Sequence, residues 1–200
     1  MAERKATVER ATKETRVTVE LELDGSGQSS VKTGIGMLDH MLDQLARHGF
    51  FDLSVSATGD LGIDPHHTVE DVAICLGRAF SEALGDKAGI ARFGHFVAPM
   101  DEALALVSID LSGRGYACVE AAFSGDKLGE LPAGLVSHFL QTLAYEGRFT
   151  LHVSLLRGEE DHHRIEAIFK ALAKALDAAT RPEERARGQV PSTKGVIEGA

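Results

Sequence analysis

The sequence has only two cysteines, few prolines, no hydrophobic run long enough to span a bilayer and no excess of positive charge. Each shortage excludes something. Cys75 lies in an apolar helical run and Cys118 in a strand-like run, and neither belongs to a close thiol pair. A disulfide scaffold and a cysteine-rich zinc centre are therefore both ruled out, and two reduced core thiols suit a cytosolic compartment. The opening segment MAERKATVERATKET lacks an apolar signal region, so the expectation is a soluble, cytoplasmic protein with no membrane partner. A formal charge of -9 and a pI near 5.4 give no general attraction to nucleic acid. An anionic small substrate would need a local cluster of Arg and Lys. With 44% hydrophobic and 26% charged residues and no long polar tract, the chain is globular rather than disordered. Its 200 residues suffice for one domain or two small halves packed together.

What is present repeats. RVTVELEL, from Arg16 to Leu23, alternates as a strand; a Gly-Ser-Gly turn follows, then a short strand around Ser30 to Thr33. Met37 to His48 has a helical stripe closed by Gly49, FFDLSVSATG reads as a strand, and His67 to Leu84 as a helix closed by Gly85. The second half predicts the same course: strands over Ala103 to Asp110 and Ala117 to Phe123, a helix from Leu135 to Glu146, a strand in RFTLHVSLL, and a helix from Ile165 to Ala179. HMLDQLARHG, starting at His40, matches HFLQTLAYEG, starting at His138. HHTVE at 66–70 matches HHRIE at 162–166. The pattern is an α+β chain made of a duplicated two-layer α/β unit of roughly 90 residues, its halves related by a pseudo-two-fold axis. Residues 1–90 and 91–180 are the two halves, and 181–200 form a polar C-terminal tail whose PSTKG segment is either loose or pinned over a substrate site.

The duplicated positions carry metal-binding chemistry. On a helix, Glu70 shares a side with His66 at i,i+4 and with His67 at i,i+3, while the adjacent histidines diverge. His162, His163 and Glu166 repeat that option, and His40 and His138 add a matched pair from the preceding helices. A lone histidine on an apolar helix is usually a packed or surface residue, but duplicated caps and polar packing do not account for the same acceptors in both halves. Six imidazoles and two carboxylates divide naturally into two sites of three imidazoles and one carboxylate; which residue joins which ion stays open. Zn, Mn, Fe, Co and Ni all suit such donors. His48, His95 and His152 have no duplicated partner and read as structural or peripheral.

Several segments resemble those of imidazoleglycerol-phosphate dehydratases: RATKET, GIGMLDHMLDQLARHG at 34–49, DPHHTVEDVAICLG at 64–77, SGRGY at 112–116, DHHRIEAIFKALAKAL at 161–176 and PSTKG at 191–195. The resemblance implies dehydration of imidazole glycerol phosphate to imidazole acetol phosphate in histidine biosynthesis. It also implies two Mn(2+) ions per protomer, halves like the second domain of ribosomal protein S5, and a 24-subunit homo-oligomer whose metal sites lie between neighbouring subunits. By the same resemblance Glu14 is the proton-moving carboxylate, and Gln44, Arg92, Arg114, Lys170, Ser192 and Lys194 join it in binding substrate. The fork of arginine suits phosphate oxygens, and Lys170 lies one turn beyond Glu166. Arg181, Arg185 and Arg187, interrupted by acids, read as solvated surface. The alternatives are a metal-dependent phosphate-ester hydrolase, which would release phosphate, and a non-enzymatic metal-storage cage, which would take up metal without turnover.

Overall fold

Each half of the chain wraps one four-stranded sheet around one face of two helices. The computed structural model describes residues 3–186 and 188–197, which leaves Arg187 outside the described residues. In the first half β1 (Lys5–Ala11) and β2 (Thr15–Glu22) form an antiparallel hairpin in which Val8 faces Val19. β3 (Ser29–Lys32) crosses over through α1 (Gly36–Gly49) to lie parallel to β4 (Asp52–Gly59), which pairs antiparallel with β2. A parallel neighbour requires such a crossover, and here the helix supplies it. The sheet order is β1-β2-β4-β3, and α2 (His66–Leu84) closes the half.

The second half repeats the order and the sense of every pairing. β5 (Phe93–Met100), β6 (Ala103–Asp110) and β7 (Tyr116–Glu120) lead through a small ribbon, β8 (Lys127–Leu128) and β9 (Leu131–Pro132), into α3 (Gly134–Glu146). β10 (Thr150–Arg157) and α4 (Asp161–Thr180) complete the order β5-β6-β10-β7, with β7 and β10 parallel. The observed architecture is thus a two-layer α/β unit with two similar four-stranded sheets. Four strands are marked weakly or not at all by the sequence pattern. β1 is an edge strand whose only buried residue is Val8, β5 is interrupted by Gly94 and Pro99, and β8–β9 is too short to show a period. The last helix starts earlier than its apolar stripe, because the Glu160 carboxylate caps it by accepting from the His163 backbone N–H at 3.0 Å. The duplicated histidines consequently occupy the first turns of α2 and α4.

The halves meet helix to helix, α1 on α4 and α2 on α3. The second crossing is close: a Cβ on Gly77 would fall 2.8 Å from both the Leu143 carbonyl oxygen and the Gly147 nitrogen. One continuous core runs through both halves, with Phe51 set edge-on to Phe80 and Phe139 beside Phe169. The outer faces of the sheets differ. Arg16, Thr18 and Glu20 face Thr58, Ser56 and Ser54 on the first, whereas Val97, Leu106, Pro99 and Leu104 pair across the second. Phe93, Tyr116 and Leu156 are also exposed on the second half. No helix among the described residues is long and apolar enough to cross a membrane. Cys75 is buried and unpaired, and its burial pushes the thiol up to about 11.

Candidate metal and anion site

The helix crossings assemble donors from opposite halves. His40 on α1 meets His162 and Glu166 on α4, and His138 on α3 meets His66 and Glu70 on α2, each trio having ligand atoms within 4.8 Å of one another. The i,i+4 pairs come from one helix turn, and the third donor comes from the helix packed across it. His40 Nε2 and His162 Nε2 each lie 3.0 Å from Glu166 Oε1, and Lys170 Nζ lies 2.7 Å from Glu166 Oε2. Burial pushes the Glu166 carboxyl up, but the hydrogen bonds from Lys170, His40 and His162 outweigh it and hold the group at about 2. Glu166 is therefore an anionic acceptor at neutral pH and a poor proton carrier. In the other trio, His138 Nε2 is buried without a hydrogen bond among the described residues and faces Glu70 Oε1 at 3.5 Å. An imidazole nitrogen buried without a partner beside a second imidazole and a carboxylate fits a metal ion.

The remaining two histidines of the pairs point elsewhere. The rings of His66 and His67 stand at 83°, and those of His162 and His163 at 86°. His67 Nδ1 lies 2.9 Å from Asp60 Oδ2 and 3.8 Å from Glu14 Oε2. His163 Nδ1 lies 2.7 Å from Glu102 Oε2. Hydrogen bonding to Asp60 and to Glu102 raises the two imidazoles above the ordinary 6.5. Glu102 is itself held down at about 2, by the Glu160 backbone N–H first and by His163 next.

Glu14 rides on the β1–β2 turn, where the Thr12 hydroxyl accepts from the backbone N–H groups of Glu14 and Thr15, both at 3.0 Å. Buried Asp71 of α2 anchors this turn. It accepts from Arg10 Nε at 2.7 Å and from the Thr15 hydroxyl. The hairpin is thus tied to the helix that carries His66, His67 and Glu70.

A separate cavity of about 460 Å³ gathers Arg92, Ser112, Arg114, Ser192, Thr193 and Lys194. Asp110 grips Arg92 with two hydrogen bonds at 2.7 and 3.1 Å, and Arg92 Nη1 donates to the Pro191 carbonyl at 2.7 Å. That bond pins the PSTKG segment over the cavity. Three cations against one carboxylate leave a surplus that suits a phosphate. Within one chain, Lys170 and Gln44 lie outside this cavity. Lys170 sits against Glu166 and Met100, and Gln44 Oε1 lies 2.8 Å from His48 Nε2. His95 and His152 are exposed on the second sheet, Arg181 pairs with Asp177, and Arg185 with Glu183.

Asp60, Asp71, Glu102 and Asp110 were not legible as site residues. None repeats at the offset that revealed the histidines; Asp71 and Glu102 meet partners 61 residues away, and Asp60 reaches His67 only because the loop after β4 folds back on the start of α2.

A family model for imidazoleglycerol-phosphate dehydratase matches residues 33–176. Among curated proteins, an imidazoleglycerol-phosphate dehydratase of Chloroflexus aurantiacus is 58% identical over 194 residues, covering 97% of this chain and 95% of the relative. One from Dehalococcoides mccartyi is 54% identical over 198 residues, covering 99% and 100%. Two crystal structures share the fold. That of IGPD from Pyrococcus furiosus in complex with (S)-C348 has a TM-score of 0.82 at 40% identity, covering 95% of this chain and 100% of the other. That of the Staphylococcus aureus imidazoleglycerol-phosphate dehydratase has a TM-score of 0.81 at 35% identity, covering 89% and 99%.

Proposed function

The chain belongs to the imidazoleglycerol-phosphate dehydratase family, and on that premise we propose a division of labour among its residues. It is a metal-dependent lyase that removes water from imidazole glycerol phosphate to give imidazole acetol phosphate in histidine biosynthesis; it is not a phosphate-ester hydrolase. The observation that carries the division is the pair of cross-half His-His-Glu trios lying apart from a cationic cavity.

His40, His162 and Glu166 hold one divalent ion, and His66, Glu70 and His138 hold the other, two Mn(2+) per protomer. Such ions supply Lewis acidity toward the nitrogens and oxygens of the substrate. His67 and His163 diverge from the trios and serve metal sites of neighbouring copies in a 24-subunit homo-oligomer. The apolar outer face of the second sheet supports burial against a second copy. Arg92, Arg114, Ser192 and Lys194 hold the phosphate, while Gln44 and Lys170 contact substrate from the metal side. Glu14 moves the proton. It is exposed beside His67, whereas Glu70 and Glu166 are committed as ligands. Residues 1–90 and 91–180 are halves like the second domain of ribosomal protein S5, 181–200 is the tail that closes the phosphate end, and the enzyme works in the cytoplasm.

The test supplies imidazole glycerol phosphate to Mn-loaded and metal-stripped protein and follows product mass and free phosphate. Metal-dependent loss of one water with phosphate retained is the expected result. An assembled, metal-loaded protein without turnover overturns the reading. Glu14→Gln should lower kcat by about 10²- to 10⁴-fold with metal content unchanged. Full turnover by that variant removes Glu14 from the proton transfer.

A further inference from the structure

Each pair of adjacent histidines has one ring outside the two His-His-Glu trios and beside a carboxylate: His163 beside Glu102, and His67 beside Asp60, the latter two forming with Glu14 a third group whose ligand atoms lie within 4.8 Å of one another. We propose that Asp60 and Glu102 are matched positioning residues: they fix Nδ1 of His67 and His163, so that each Nε2 faces outward as a ready ligand, and Asp60 thereby leaves the hairpin carboxylate of Glu14 free. The proposal rests on the metal-dependent function above.

An ionised carboxylate only accepts hydrogen bonds, so the 2.9 Å contact to Asp60 and the 2.7 Å contact to Glu102 require Nδ1–H on both rings. In the neutral imidazole the lone pair then sits on Nε2. His40 and His162 are arranged the other way, with Nε2 turned inward on Glu166. A carboxylate behind a ligating imidazole sets its tautomer and its ring orientation and raises its basicity. Asp60 does this at a cost to the fold, because its other oxygen, Oδ1, is buried without a partner among the described residues.

The two carboxylates arrive by different routes. Glu102 stands in the β5–β6 hairpin turn, whose counterpart in the first half is the β1–β2 turn that carries Glu14. Glu102 is fully engaged: it accepts from His163 and from the backbone N–H groups of Glu159 and Glu160 at 3.2 and 2.9 Å. In the first half the same task falls to Asp60, just beyond β4. Glu14, at 3.8 Å from the His67 ring nitrogen, makes no hydrogen bond to it. The equivalent hairpin positions thus hold one positioning carboxylate and one proton carrier.

The decisive measurement is Mn(2+) binding to metal-stripped protein by calorimetry, with native mass spectrometry for assembly and a wild-type turnover assay in parallel. Asp60→Ala should weaken one class of site by about 10- to 100-fold and leave the other at wild-type affinity, with Glu102→Ala doing the converse. Asp60→Ala added to His67→Ala should cost nothing further, since it acts through that ring. Asp60→Asn, which keeps an acceptor and the shape, should recover part of the loss and controls for misfolding. Equal weakening of both classes by Asp60→Ala, or additive losses in the double variant, overturns the positioning role. Turnover by the wild type with unchanged affinities in both alanine variants sinks this proposal alone, whereas absent wild-type turnover with class-specific weakening sinks the dehydratase reading alone.

Discussion

Lys87 shows what a single residue can cost this fold. It is fully buried, its Nζ has no hydrogen-bond partner among the described residues, and burial, with Arg148 nearby, lowers its pKa. A lysine whose folded pKa lies below its unfolded value binds its proton more weakly when folded. Stability therefore rises with pH through the window between the two values and is lost as pH falls. Lys87→Met keeps the volume and removes the buried charge. It should stabilise the protein by about 1 kcal/mol or more and flatten the alkaline rise, as read by thermal melts from pH 7 to 10. A lower melting temperature at every pH would show that the ammonium is satisfied in the folded state. The same scale marks the reach of sequence. His40, His66, His67, His138, His162 and His163 announce themselves by duplication, but the pairing of His40 with Glu166 exists only because α1 crosses α4. Asp60 and Glu102 left no repeated signal, because the two halves recruit their carboxylates from different loops.

At the scale of elements, the α2–α3 crossing brings together one candidate metal trio. Gly77 lets α2 approach the end of α3, and His66, Glu70 and His138 span that same crossing. Gly77→Ala would force the helices apart at a cost of about 1–3 kcal/mol, since backbone on the α3 side cannot move aside as a flexible side chain would. The expected outcome is a lower melting temperature and weaker metal binding at the His66–Glu70–His138 site, with the His40–His162–Glu166 site retained. Loss of both sites together would mean that the crossing transmits strain throughout the molecule. The strongly periodic helices α1, α2, α3 and α4 were all legible, as were β2, β4, β6 and β10. The order within each sheet was not, since pairing β3 and β7 parallel to later strands depends on crossovers that a local pattern does not record. β1 and β5 were only faintly legible, β5 as a strand-like segment around His95, for a related reason: each is an edge strand, buried mainly by its neighbour and by a helix from far along the chain.

For the whole molecule, metal binding and assembly should respond together to chelation and to acid. The raised pKa values of His67 and His163, the latter also facing Asp101 at 3.9 Å through Nε2, mean that protons compete with a metal ion for these rings already above pH 6.5. Lowering the pH from 8 to 6 should release metal and reduce the assembled mass seen by light scattering, and a chelator at pH 8 should do the same. An unchanged mass after complete metal removal would place assembly on other surfaces. The metal-free chain should show the opposite trend locally. The ties of His67 to Asp60 and of His163 to Glu102 are fully present below the unfolded pKa near 6.5 and are lost as pH rises through the raised folded values. The cross-half trios have a consequence for ancestry. A single half meeting its own copy about a two-fold axis would already complete both trios, but symmetry would make the two sites identical, residue for residue. In one chain the two halves are free to differ, and the equivalent hairpins show it: Glu102 accepts from His163 and from two backbone N–H groups, whereas Glu14 stands 3.8 Å from the His67 ring nitrogen.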